Sequence, residues 1–302
     1  MVTTEFNKKV LAAMVAGRSN YGGKHGASYA RSLGVDPTVY STLSKHGYKE
    51  GLLTAEKWME LGKRFGVTNE KTGWVAVETS VFKRIKEEIM LCKQFGISRI
   101  FVDDCGIGKT FTARYLARTQ HNVFYVDCTQ CKKQNAFIKT LARVVGVELK
   151  GTLDEIKENT KYRLSVLENP VVIIDEAGAL NKDALGLAQE YWNATGDDNL
   201  CGWYLMGANA LRSKIEQGVS HNRDYFSELF SRYSDRFSDI VPKDDNTKKI
   251  NFYRKLIRDV MSANIKDKSQ LDILVNQCIV EDKQGKITGL RRAKSLILLN
   301  NA

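Results

Sequence analysis

One stretch of the chain has residue types suited to gripping phosphate. Asp103-Asp-Cys-Gly-Ile-Gly-Lys-Thr110 follows directly on the apolar run Ile97–Val102 and leads into a helical pattern. A strand, a tight turn and a helix opening on Gly-Lys-Thr form the geometry of a phosphate-binding loop. Gly106 and Gly108 let the backbone curl until successive N–H groups point inward, and the helix N-terminus adds its partial positive charge. Lys109 can reach the β- and γ-phosphates, and the Thr110 hydroxyl can ligate Mg²⁺. The nucleotide-binding set is therefore Cys105, Gly106, Ile107, Gly108, Lys109, Thr110 and Phe111. The pattern departs from its usual form at the first position, where Asp103 replaces glycine. An acid there repels a triphosphate, so the Asp103 and Asp104 carboxylates must point away, or toward the hydration shell of the metal.

A second motif follows about 65 residues on. Val171-Val-Ile-Ile-Asp-Glu176 reads as a buried strand ending in paired carboxylates. In a parallel sheet such a strand delivers its last residues to the crevice where ligands bind. Asp175 would hold Mg²⁺ through water, and Glu176 would orient and deprotonate the attacking water. The two motifs in this order predict ATP and Mg²⁺ as cofactors, with Glu176 and Lys109 catalytic and Thr110 and Asp175 on the metal.

Alternating elements position these motifs. Helical periodicity over Ser80–Phe95 is followed by strands at Ile97–Val102, Val123–Val126, Val171–Ile174 and Gly202–Met206, with helices at Thr110–Arg118, Asn135–Val145 and Asp183–Trp192 between them. That alternation predicts an α/β fold with a parallel sheet covered on both faces. Before it lie short helices, with one at Glu5–Ala16, a glycine-rich loop at Tyr21–Gly26, and Pro37 opening a helix that Asp36 would cap. Val67–Glu78 loses periodicity and reads as a linker, and from Thr247 the chain is helical again. The expected units are 1–70, 71–242 and 243–302.

At this point the chain resembles the AAA+ ATPases from about Trp74 to Ala302. The resemblance implies a P-loop parallel sheet with a helical lid. It also implies a sensor-1 role in Trp203-Tyr-Leu-Met-Gly-Ala-Asn209 for Asn209 or Ala208. Ser227–Arg236 is similar to the segment that supplies an arginine finger to a neighbouring subunit, with Arg232 or Arg236 as the finger. Gly289-Leu-Arg-Arg292 is similar to the sensor-2 turn, with Arg292 or Arg291 reaching the nucleotide. An arginine acting in trans makes the active unit a homo-oligomer, whose hydrolysis rises with protein concentration.

Ser28–Leu43 matches a helix-turn-helix spacing, with Ala30 where two helices approach, Gly34 at the turn, and Val35, Tyr40 and Leu43 as anchors. The stretch resembles small repressor-like domains that lay a helix in the DNA major groove. Thr38, Ser41, Thr42 and Lys45 would then face the groove or its phosphates. The helix lacks Arg, Asn and Gln to read base edges, so the expected contact is mostly non-specific.

The whole arrangement, with an entry helix at Val77–Arg84, is similar to the target-selecting ATPases of DNA transposition. That implies ATP-dependent assembly on double-stranded DNA as a ring or helical filament, capture of a target for a transposase, and release on hydrolysis. Charge is consistent with a polyanionic partner. Of 302 residues 46 are Lys or Arg and 35 are Asp or Glu, a net charge of +11. The excess collects at the ends, with eleven basic against seven acidic residues up to Thr79 and twelve against six from Asp245 on. Lys132 and Lys133, in a loop after the second strand, are the first candidates for a pore-lining DNA contact, and the tail cations Lys248, Lys249, Arg254, Lys255 and Arg258 the second. Solvated helical faces explain the same charge equally well. Two other classes stay open: an ATP-switched transcriptional regulator, and a replication- or helicase-loading or defence ATPase acting on a protein.

Composition excludes other classes. Hydrophobic residues make up 43% and charged residues 27%, as in a folded chain. No apolar run approaches the ~20 residues of a membrane span, and Met1–Val15 has no signal-peptide core. Six scattered Cys suit a reducing cytoplasm, and no second Cys or His pair joins Cys128 and Cys131 to complete a zinc site.

Overall fold

Capping residues set the helix ends in the computed structural model, which describes residues 3–21, 25–67, 74–195, 200–223, 226–279, 287 and 289–301. Thr3 caps α1 (Thr4–Ala16) by accepting the Phe6 amide. Between α2 (Gly26–Ser32) and α3 (Pro37–His46), the Val35 amide donates to the Ala30 carbonyl at 2.9 Å. Gly34 turns the chain there at φ 64°, a left-handed conformation that favours a residue without Cβ. Asp36 accepts the Thr38 and Val39 amides, and Thr54 caps α4 (Ala55–Phe65). Val10, Met14, Ala30, Leu43, Trp58 and Leu61 of these helices, with Tyr21 and Val35 from the segments between them, form a core distinct from the two clusters of the sheet. The glycine-rich loop and the linker fall partly outside the described residues, at 22–24 and 68–73.

α5 (Ser80–Phe95) begins at Ser80, with Thr79 as its cap. Val77–Thr79 therefore lead into the helix without being part of it. Then follow β1 (Ser98–Val102), α6 (Lys109–Thr119), β2 (Val123–Asp127), α7 (Gln134–Val145), α8 (Leu153–Ser165) and β3 (Val171–Asp175). After them come α9 (Lys182–Thr195), β4 (Gly202–Gly207), α10 (Asn209–Ser220), α11 (Phe226–Arg232) and β5 (Phe237–Ser238). The tail is α12 (Asn246–Asn264), α13 (Leu271–Cys278) and α14 (Leu290–Asn301).

The sheet runs β2-β3-β4-β1-β5 with every neighbouring pair parallel, the α/β architecture that the alternation of elements predicts. Strand pleating sends Val102, Val126, Ile174 and Leu205 to one face, beneath Phe137, Leu141, Tyr191 and Leu211. It sends Phe101, Ile173, Tyr204 and Met206 to the other, beneath Ile85, Leu116, Tyr253, Ile257 and Ile297. The second face thus shares its apolar cluster with the helical tail. Burial on both faces is why these strands read as unbroken apolar runs.

α5 crosses β4 at short range, since a Cβ on Gly202 would collide with the Cys92 carbonyl oxygen. In this tight layer the Tyr204 hydroxyl donates to Glu88 Oε2 at 2.7 Å, and Arg84 Nε meets Oε1 at 3.0 Å. Tyr204→Phe leaves a buried carboxylate one donor short, which costs about 1–3 kcal/mol. A lower urea midpoint with an unchanged slope is the expected result.

Candidate nucleotide site

The loop leaves the sheet where β1 lies between β4 and β5. Val102 pairs with Gly207, and the Asp103 amide donates to the Gly207 carbonyl at 3.3 Å. Gly106 and Gly108 take φ 78° and 103°, conformations that side chains with a Cβ resist. Lys109 opens α6 and is buried, with its ammonium inside the loop, donating to the Asp103 and Asp104 carbonyls at 2.7 and 2.6 Å. Burial pulls its pKa below that of an ordinary lysine, against the opposing pull of Cys105, Asp103, Glu176 and Asp175. Phosphate oxygens have the chemistry to replace those carbonyls.

Thr110 joins the two motifs. Its hydroxyl donates to Asp175 Oδ2 at 2.7 Å across 65 positions of sequence. Asp175 is buried at the end of β3; its Oδ2 also accepts the Tyr125 hydroxyl at 2.9 Å, and its Oδ1 accepts the Glu176 amide at 2.9 Å. Burial, then the charge of Asp175, pushes the Tyr125 phenol up, which keeps it a donor. Glu176 follows at φ 51°, a left-handed position that is strained for a residue with a Cβ and is met at functional turns. Its half-buried side chain acts electrostatically on Lys109, so the two catalytic candidates share one site.

The acids of the loop point away from its centre. Asp103 Oδ2 accepts the Ile240 and Val241 amides at 2.7 and 3.0 Å, and Oδ1 accepts the Asp104 amide at 2.8 Å. Burial pushes the Asp103 carboxyl up while these three N–H groups pull it down. Asp104 Oδ2 accepts the Tyr253 hydroxyl at 2.8 Å and lies 3.2 Å from Lys249 Nζ. Neither acid is turned toward Thr110 and Asp175.

Cys105 is half-buried in the loop, Ile107 is buried, and Phe111 is partly exposed and stacked on Tyr115. Asn209 is exposed as the first residue of α10, at the carboxyl end of β4, with Ala208 as the cap before it. Arg291 and Arg292 are exposed in the first turn of α14, whose Leu290 amide donates to the Gly106 carbonyl at 2.8 Å. The nucleotide loop, Asp175, Glu176 and the starts of α10 and α14 therefore gather at the carboxyl ends of the strands. Arg232 is elsewhere, held on α9. Its Nε donates to Asn193 Oδ1 at 2.7 Å, and its guanidinium lies 5.1 Å from the Trp192 ring centroid. Arg236 is exposed just before β5. Lys132 and Lys133 are exposed between β2 and α7. On α3, Thr38 and Lys45 are exposed, Ser41 and Thr42 are half-buried, and the Thr42 hydroxyl donates to the Thr38 carbonyl at 2.9 Å.

Sequence reasoning missed Tyr125 and Tyr253, and gave Lys249 to the cationic tail where the structure pairs it with Asp104. Tyr125 stands two residues before Asp127, the register partner of Asp175, so a polar ring near the end of a strand beside the acidic one was the available signal. No local signal marked Lys249 and Tyr253, because only tertiary packing brings α12 to the loop.

Residues 104–215 match the family model of the AAA domain. No curated protein sequence matches the chain. The matched span runs from the second residue of the loop through β2, Asp175, Glu176 and β4 into α10. That match, the phosphate loop and the five-stranded parallel sheet together fit an AAA+ ATPase domain that binds nucleotide.

Proposed function

We propose that this chain is a Mg²⁺-dependent ATPase that assembles in ATP on double-stranded DNA and presents that DNA to a transposase. The observation that carries the reading is the bond from Thr110 to Asp175, because it sets the hydroxyl of one motif against the carboxylate of the other. Two hard oxygen donors at that spacing suit Mg²⁺, which takes few protein ligands and fills its shell with phosphate and water. Among the described residues no group of three His, Cys, Asp or Glu could hold a metal by itself, and the Mg²⁺ reading needs none. When bound, Mg²⁺ would neutralise charge on the β- and γ-phosphates. Lys109 would leave the loop carbonyls for the same phosphates, and Glu176 would take the proton of the attacking water. Asn209 or Ala208, and Arg292 or Arg291, would border the γ-phosphate. Arg232 or Arg236 would reach the site of the next subunit.

The DNA half of the reading is supported by charge. Exposed Lys132 and Lys133, once per subunit, and the cationic chain ends suit a repeating phosphate backbone, while α3 offers hydroxyls and Lys45 to a groove. Among the described residues no helix is long and apolar enough to cross a membrane.

Fluorescence anisotropy on random-sequence duplex tests the assembly. With ATP, log affinity is expected to fall linearly with log salt, and Lys132→Ala/Lys133→Ala to lower the slope by about 2. Affinity that ignores both salt and ATP would overturn the DNA reading. Binding confined to one operator sequence would favour the transcriptional regulator instead. ATPase activity tied to a tight protein complex and indifferent to DNA would favour the loading factor.

A further inference from the structure

The two acids of the phosphate loop are each tied to the chain that leads into, or forms, the helical tail. Asp103 accepts two amides at Ile240 and Val241, on the segment between β5 and α12. Asp104 accepts the Tyr253 hydroxyl and pairs with Lys249, one turn apart on α12. The Lys249 and Asp104 side chains are only 27% and 28% exposed, so water screens this pair less than a surface pair. From the other side, the Leu290 amide donates to Gly106 O. A Cβ on Gly289 would stand 2.8 Å from the same oxygen, at φ 63°, so α14 too sits directly on the loop.

We propose that Lys249 and Tyr253 are positioning residues for the nucleotide. They hold the Asp104 carboxylate turned onto α12 and offset its charge. An incoming triphosphate then meets Lys109 and the loop amides, with the Asp104 charge already offset. Nucleotide residence on the loop is thereby tied to the seating of α12. This inference rests on nucleotide binding by the loop. It accounts for how the loop tolerates its second acid: Lys249, 145 positions away, offsets the Asp104 charge, and Tyr253, 149 away, orients the carboxylate.

The test uses the full chain with Mg²⁺ and a fluorescent N-methylanthraniloyl ATP, measuring equilibrium affinity and the dissociation rate. Lys249→Met/Tyr253→Phe is expected to bind about tenfold more weakly and to release faster, because the acid is no longer offset. Adding Asp104→Asn is expected to restore affinity to within about threefold of the parent, because the repulsive charge is gone. A contact that served packing alone would show no such rescue, since the third substitution would then leave binding as weak or weaken it further. That outcome, or a double variant that binds like the parent, overturns the proposal and leaves nucleotide binding standing. A parent chain that does not bind the probe overturns both. If the double variant does not fold by circular dichroism, Tyr253→Phe keeps the ring and, with and without Asp104→Asn, carries the same comparison.

Discussion

Glu176→Gln is expected to bind nucleotide like the parent and to hydrolyse it about 10²–10⁴-fold more slowly. The substitution preserves shape and the backbone contacts that set the turn, the Glu176 amide on Asp175 Oδ1 and the Ala179 amide on the Glu176 carbonyl at 2.8 Å. It removes the negative charge of the carboxylate and with it the ability to accept a proton. Lys109, Thr110 and Asp175 keep their partners, so phosphate binding is left intact. Assemblies on DNA should then persist, because release follows hydrolysis in the proposed cycle. Single-turnover hydrolysis beside equilibrium binding separates the two effects. A variant that turns over at the parent rate would place the base elsewhere.

Arg232→Ala is expected to cost about 10³-fold or more in the assembled protein and little in a dilute subunit. Arg232 rests on its own α9, with Asn193 and Trp192 restricting its side chain. In the proposed assembly, a guanidinium fixed in this way is pre-ordered for a neighbour's phosphates. Mixing supplies the decisive measurement. Arg232→Ala keeps an intact loop and Glu176→Gln keeps an intact arginine, so a mixture should hydrolyse ATP faster than either alone. Arg236→Ala, just beyond the turn where Ser234 and Asp235 take φ 67° and 48°, is the comparison. Full activity in Arg232→Ala together with a large loss in Arg236→Ala would reassign the finger. Full activity in both would leave Arg232 a surface residue packed on Trp192.

Most of the fold was legible because its signals are local. β3 is five buried residues in a row, and α5 repeats its apolar positions over sixteen residues between a capping Thr79 and Gly96. Where the signal was thin, elements went unseen. α8 buries only Ile156, Thr160 and Leu164 in an otherwise charged stretch, although Thr152 and Glu155 form a capping box. β5 has two residues, and only its pairing with Ile100 and Phe101 makes it a strand. The site divides in the same way. Spacing marked Gly106 to Thr110, and Asp175 with Glu176, because each motif is contiguous. The contact from Thr110 to Asp175 follows from knowing that the carboxyl ends of both strands lie together. Nothing near Asp103 in sequence says that its carboxylate turns to Ile240 and Val241, since those amides arrive only when the chain passes β5. The departure at the first loop position looked like a handicap for phosphate, and its partners make it a brace.

α6 begins at Lys109 and Thr110 and ends at Thr119, eleven residues or about 16 Å of stiff helix. At its far end the Arg118 guanidinium donates to the Gly66 carbonyl at 2.6 Å, just past α4 of the amino-terminal helices. The phosphate loop and the amino-terminal helices thus touch opposite ends of the same rod. A rotation of that rod as its first turn meets a phosphate would be felt at Gly66 without any intermediary.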